Sequence, residues 1–376
     1  MATNPAPTRT ASPRRLVLTD SWPDAQRSGP VSARERIPEA LGSDRLSALD
    51  LGPNGQLLVA SGKASTLDDR GAHMHPQRLG VLPRGASPMW LRQADGAPEE
   101  VWDGAVSKEW ALWAQGASTD LDHLDMELWS HSRVSGTTVH LASSIEVDGR
   151  AVSIPGYNRP VIVGGRAYWS DVHPSDSGSL STAVYSRALD GSDKVHMVES
   201  DTYLTTADSC EPTGALLYAR TRGDLVQIVR RTPSDARPQV VASIPVSQHA
   251  RVSDLAACGP RVAYVVTSEE ASPAGDEDVD ALTLIDAGKP VLVVEGVDGS
   301  TPTDPALSRR WLTFSAFNGP LDGGQWLVGV DDLVPYELPT AQGLQRVRLR
   351  DDWITWREAG RSPAGPHTTV VGQLRP

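Results

Sequence analysis

Short apolar runs, each ending on an aromatic or bulky residue, recur along the chain. They read Leu57-Leu58-Val59, Trp110-Ala111-Leu112-Trp113, Ala167-Tyr168-Trp169, Leu216-Leu217-Tyr218, Val262-Ala263-Tyr264, Leu312-Thr313-Phe314 and Ile354-Thr355-Trp356. Their last residues lie 42 to 56 positions apart, and such a period marks a repeat architecture. Most runs are followed by two alternating segments joined by a polar turn, and period-two alternation predicts strands rather than helices. The turns are read at Asp95-Gly96, Ser135-Gly136, Asp190-Gly191, Pro233-Ser234, Ala287-Gly288 and Asp331-Asp332.

Seven such units predict an all-β chain: a seven-bladed β-propeller of four-stranded antiparallel blades, strands a to d running from the axis outward. The aromatic runs are strand b, and the hairpins are strands c and d. Aromatics such as Trp129, Tyr185 and Trp326 are then expected between neighbouring blades. The seventh unit stops at strand c, Thr368 to Leu374, so an outer strand must come from elsewhere. The apolar stretch within residues 14–19 is the expected closing strand, which would remove an open sheet edge. The organisation read from this is a segment 1–20 holding the closing strand, a linker 21–44 and the propeller 45–376.

Two stretches resemble the TolB-like (WD40-like, PD40) propeller repeat, in which an Asp and a Ser-Pro-Asp-Gly turn announce strand b. They are Asp50-Leu51-Gly52-Pro53-Asn54-Gly55 before Leu57, and Asp304-Pro305-Ala306-Leu307-Ser308 before Trp311. Asn54 stands where that turn has Asp, and Arg309-Arg310 follow Ser308. The resemblance implies the propeller fold and leaves activity open. No Gly-x-Ser-x-Gly elbow is present, which an appended hydrolase domain would need to display its nucleophile.

Charge narrows the partners. A formal charge of −12 repels a phosphate backbone, and no Lys/Arg cluster reverses it, so nucleic acid is not expected. Only four lysines and four asparagines occur, a bias of GC-rich, actinobacterial-like genomes. No apolar run is long enough to span a membrane. Arg14-Arg15 is followed by only three apolar residues, too few for an export signal, so a cytoplasmic location is expected. Cys210 and Cys258 fall in neighbouring blades at different points of the repeat, which predicts two buried thiols rather than a disulfide.

The b-to-c connections read as the long ones: 61–87, 115–122, 171–178, 267–280, 318–324 and 358–367. Long loops on a rigid scaffold are where binding residues gather. His73, His75, His123, His173 and His367 lie there, with Asp171 and Asp176 nearby, so these seven are the binding-face candidates. They are read either as solvated loop side chains or as a His/carboxylate site for a divalent cation, with His73, His75 and His173 as metal ligands. No catalytic residue is assigned and no cofactor is predicted beyond that cation. The acidic run from Glu269 to Asp280 reads as a solubilising loop, with a Ca²⁺-binding loop lacking the EF-hand order as the alternative. Asp50, Asp103, Asp254 and Asp304 recur just ahead of strand b, either fixing turns or ringing the channel. The leading expectation is a non-catalytic scaffold for a protein or peptide partner. The alternatives are a hydrolase or lyase with a His/Asp site at the channel mouth, and a carbohydrate- or envelope-binding module motivated by Trp22, Trp90 and Trp102.

Overall fold

Each apolar run forms the second strand of a separate antiparallel sheet, and seven sheets stand around one axis. The chain is a seven-bladed β-propeller. The computed structural model describes residues 12–18, 22–23, 29–41, 44–63, 78–93, 100–116, 126–144, 146–147, 150–151, 159–174, 180–210, 214–233, 237–245, 250–268, 280–297, 299–317, 324–339, 347–358 and 367–375. Blade 1 comprises Asp44–Leu51, Leu57–Lys63, Arg78–Leu82 and Met89–Gln93 as strands a to d. Blades 2 to 6 begin at Glu100, Val161, Thr202, Ala250 and Thr301, and blade 7 at Arg348.

Packing between blades explains the aromatic ends of strand b. Seven buried apolar clusters occur among the described residues, each spanning one junction between neighbouring blades. Trp113 and Trp129 serve the junction of blades 1 and 2, Trp169 and Tyr185 that of blades 2 and 3. Between blades 5 and 6, Phe314 and Trp326 stack with ring centroids 5.6 Å apart. Apolar burial is therefore distributed around the ring in a closed series, and no cluster can be lost without opening it.

Two expectations about the chain's course are corrected. The c-to-d turn of blade 1 spans residues 83–88, with Gly85 at φ 64, because Arg78–Leu82 and Met89–Gln93 pair as strands c and d. The 61–87 connector thus contains a strand, and Asp95-Gly96 lies outside the described residues. The second correction concerns closure. Blade 7 is completed by Val31–Pro38, from the expected linker, which pairs antiparallel with Thr368–Leu374. Arg14–Val17 instead adds in parallel to the outer strand of blade 5, Lys289–Glu295.

The reason lies in what each segment offers. Val31–Pro38 is rich in charge, and the outermost strand has the charged neighbours to use it: Arg36 pairs with Glu358, and Glu35 accepts the Gly85 N–H at 2.8 Å. Leu18, by contrast, is buried in the cluster of blades 5 and 6, and Trp22 packs edge-on to Phe314 and Trp326 at 6.3 and 6.0 Å. The carbonyl of Pro23 then accepts the Glu337 N–H of blade 6 at 2.9 Å. The N-terminal segment is a strap over the outer edges of blades 5, 6 and 7.

Candidate functional site

The innermost strands of all seven blades enclose a cavity of about 540 Å³ on the ring axis. Five of these strands carry a register shift: at Ala48/Asp50, Val101/Asp103, Tyr203/Thr205, Val252/Asp254 and Thr303/Ala306. A bulge inserts an unpaired residue, bends the strand and re-aims its side chains. Asp304 sits in its bulge at φ 50, a left-handed conformation that Asp tolerates better than most residues. The recurrent aspartates of the sequence lie at these irregularities, and Asp50, Asp103 and Thr205 line the cavity.

An arginine that the sequence did not single out organises the inner end. Arg159 of blade 3 reaches across the axis, its Nη1 lying 3.1 Å from Asp254 of blade 5 and 3.2 Å from Asp304 of blade 6. Thr303 donates to the other Asp254 oxygen at 2.9 Å. Two carboxylates this close repel unless a cation lies between them, so Arg159 is the condition for their coexistence. Spacing could have revealed it. Arg159 stands ten residues before Trp169, as Asp103, Asp254 and Asp304 stand ten before Trp113, Tyr264 and Phe314.

On another wall, Asp50 accepts the Val106 N–H at 2.8 Å, and Arg350 donates to the Val106 carbonyl at 2.8 Å. Burial pushes the Asp50 carboxyl above its ordinary value, against the opposing pull of Arg350 and the Val106 N–H. At the a-to-b end the cavity is rimmed by the turns of blades 1 to 4, through Pro53, Ser107 to Glu109, Gly164-Gly165 and Ser209. Lys108 and Glu109 are exposed there.

At the same rim the turn of blade 4 leans onto blade 5. Asp208 bridges to Ala257, Ser209 donates its N–H to the Ala257 carbonyl at 3.0 Å, and its hydroxyl reaches the Leu307 carbonyl of blade 6 at 2.6 Å. This offset brings Cys210 opposite Cys258 with Cα atoms 4.8 Å apart, and the two form a disulfide. The expected pair of free thiols is thereby corrected. Different repeat positions do not separate the sulfurs, because the turn crosses the blade boundary. Asp208 is buried beneath the bond, paired with Arg230, and accepts the N–H groups of Cys210 at 2.9 Å and Gly259 at 3.0 Å.

Among the candidates read from the sequence, His73, His75, His123, Asp176 and the side chain of His173 lie outside the described residues. Asp171 is buried on strand b of blade 3, accepting the Val172 N–H at 2.8 Å. His367 is half-buried in blade 7, where its carbonyl accepts the Glu39 N–H at 3.1 Å. Burial, reinforced by Arg357, holds its imidazole below the usual histidine value. Asp171 and His367 therefore stand on different blades. No three His, Cys, Asp or Glu side chains converge as a metal would require among the described residues. The tryptophans that suggested a carbohydrate surface are occupied in packing: Trp22 as above, Trp90 under Arg78 at 4.0 Å, and Trp102 beside the blade 2–3 cluster.

No family model matches the chain, and no curated protein matches it. Solved structures do. An oligogalacturonate lyase from Vibrio parahaemolyticus aligns at 8% identity over 91% of this chain and 96% of that one, with a TM-score of 0.52. The β-propeller domain of the trilobed protease from Pyrococcus furiosus, described as having an open velcro topology, aligns at 8% identity over 86% and 95%, also at 0.52. TolB from Acinetobacter baumannii aligns at 10% over 79% and 60%, with a TM-score of 0.41. The first two likenesses agree with the propeller fold and go no further. No family model supports the TolB-like repeat beyond the propeller fold itself, and activity has to be argued from the site.

Proposed function

We propose that the protein is a non-catalytic interaction ring whose partner is a protein or peptide, a segment of which enters the axial cavity from the a-to-b rim. The observation that carries this reading is the internal pairing of the cavity's charged groups. Of the lining groups, Arg159 is held by Asp254 and Asp304, Asp208 by Arg230 behind it, and Arg350 by the Val106 carbonyl. Such a lining is pre-formed and rigid, which lowers the ordering cost of receiving a chain segment. This places the contact at the end of the ring opposite the long b-to-c connectors on which the sequence placed it.

A photo-crosslinking residue at position 109, on the lip, is expected to capture the partner, whereas one at position 317, at the far end of strand b in blade 6, is not. Capture from 317 alone would move the site to the b-to-c face, and recovery of the ring alone from both would remove the reading.

A second reading, a hydrolase or lyase assisted by a divalent cation, draws on Asp171. Burial, followed by the nearby Asp171 charge, raises the phenol of Tyr185, so this region of blade 3 holds interacting titratable groups. A stoichiometric metal in the purified protein that disappears in Asp171→Asn would favour it.

A further inference from the structure

We propose that the protein matures in an oxidising compartment, where the Cys210–Cys258 bond forms as a clasp that fixes the mouth of the axial cavity. The chain has two cysteines in all, and the fold brings both to one point although 48 positions separate them. Cys258 is 3% exposed and Cys210 is packed against the core of blades 5 and 6. A buried pairing of this kind belongs to secreted or otherwise extracytoplasmic proteins, since the cytosol keeps thiols reduced. The cytoplasmic location suggested by the N-terminal sequence gives way to this chemistry.

The surroundings show what the bond holds. Asp208, Ser209, Ala257 and Leu307 all line the cavity, and all take part in the junction that the disulfide crosses. Without the bond, the blade 4 turn is retained by Asp208 and the two acceptors of Ser209. With it, that arc of the rim is covalently tied to blade 5, so the clasp restrains the opening itself. Formation requires each cysteine to give up its thiol hydrogen to a disulfide-bearing oxidant, whose two sulfurs depart as thiols. Because Cys258 is enclosed once blades 4 and 5 dock, the exchange takes place while the ring is assembling.

Protein isolated from its native source with immediate thiol blocking is expected to carry no blocking groups until it is reduced, and then two. Two blocked cysteines before reduction would overturn the proposal. Cys210→Ala/Cys258→Ala is expected to melt about 5 °C lower, as loss of a cross-link over a loop of this length implies for a domain of this size. If that variant does not fold, the wild-type ring reduced by a dithiol after folding serves instead. Its amide exchange should accelerate in residues 208–210 and 255–259 and stay constant in blade 2. An unchanged melt together with unchanged exchange would overturn the clasp.

Discussion

Arg357 grips Glu39 through two parallel bonds, Nε to Oε1 and Nη2 to Oε2, both 2.8 Å long. Glu39 follows directly on the strand that closes blade 7, while Arg357 lies on that blade's strand b, 318 positions later. The glutamate is 2% exposed, and its carbonyl also receives the Leu46 N–H of blade 1 at 2.7 Å. One residue thus joins the closing strand, the last blade and the first.

Removing either partner leaves a charge buried without compensation. Glu39→Ala and Arg357→Ala are each expected to lower stability by about 3–5 kcal/mol, and the double variant by less than their sum. Denaturant unfolding of the four proteins measures this. Additive losses would show that the grip does not hold the closure.

Truncation separates the two parts of the N-terminal strap. A chain starting after Leu18 loses the added strand of blade 5 and one buried leucine, and should melt several degrees lower while remaining cooperative. A chain starting after Pro38 lacks the outer strand of blade 7 and should lose its sharp transition. Calorimetry of both distinguishes them, and equal melts would contradict the strand assignments.

His367 gives a pH dependence. Its folded pKa lies below the unfolded value, so between the two the unfolded chain binds the extra proton. Stability from this group is present above about pH 6.5 and declines as pH falls through that window. His367→Gln should reduce the drop in melting temperature between pH 7.5 and 5.5. A difference identical to wild type would exclude the group as its source.

Asp50 has the opposite sign. Its folded pKa is raised, so the contribution is present below the unfolded value and is lost as pH rises through the folded one. Asp50→Asn keeps an oxygen for the Val106 N–H and discards the buried charge. It should therefore melt at or above wild type at pH 7.5, with the gap closing toward pH 4. A lower melt at neutral pH would show that the attraction of Arg350 outweighs burial.

What the sequence disclosed follows from which residues answer to local rules. Strand b was legible because its side chains face neighbouring blades on both sides, forcing apolar runs such as Leu216-Leu217-Tyr218. The aspartates of the channel were legible as a spacing that Arg159 shares, but the meaning of that arginine depends on the two carboxylates it meets from blades 5 and 6. Val31–Pro38 looks like linker because an outermost strand needs little apolar surface, whereas Leu16-Val17 looks like a strand and belongs to one, on another blade. The disulfide is hidden from the sequence because repeat position sets the two cysteines apart, while the Asp208–Cys210 turn crosses into the next repeat.

The closing strand leaves the ribosome more than 300 residues before the blade it completes exists. A nascent chain with this connectivity can stack its early blades as they emerge, yet its ring stays open until residue 374 has been made and becomes available to Val31. Closure is then a single long-range event of high contact order, so the slowest step of folding is expected only once the seventh blade has emerged, with the strap waiting for the far end of its own chain.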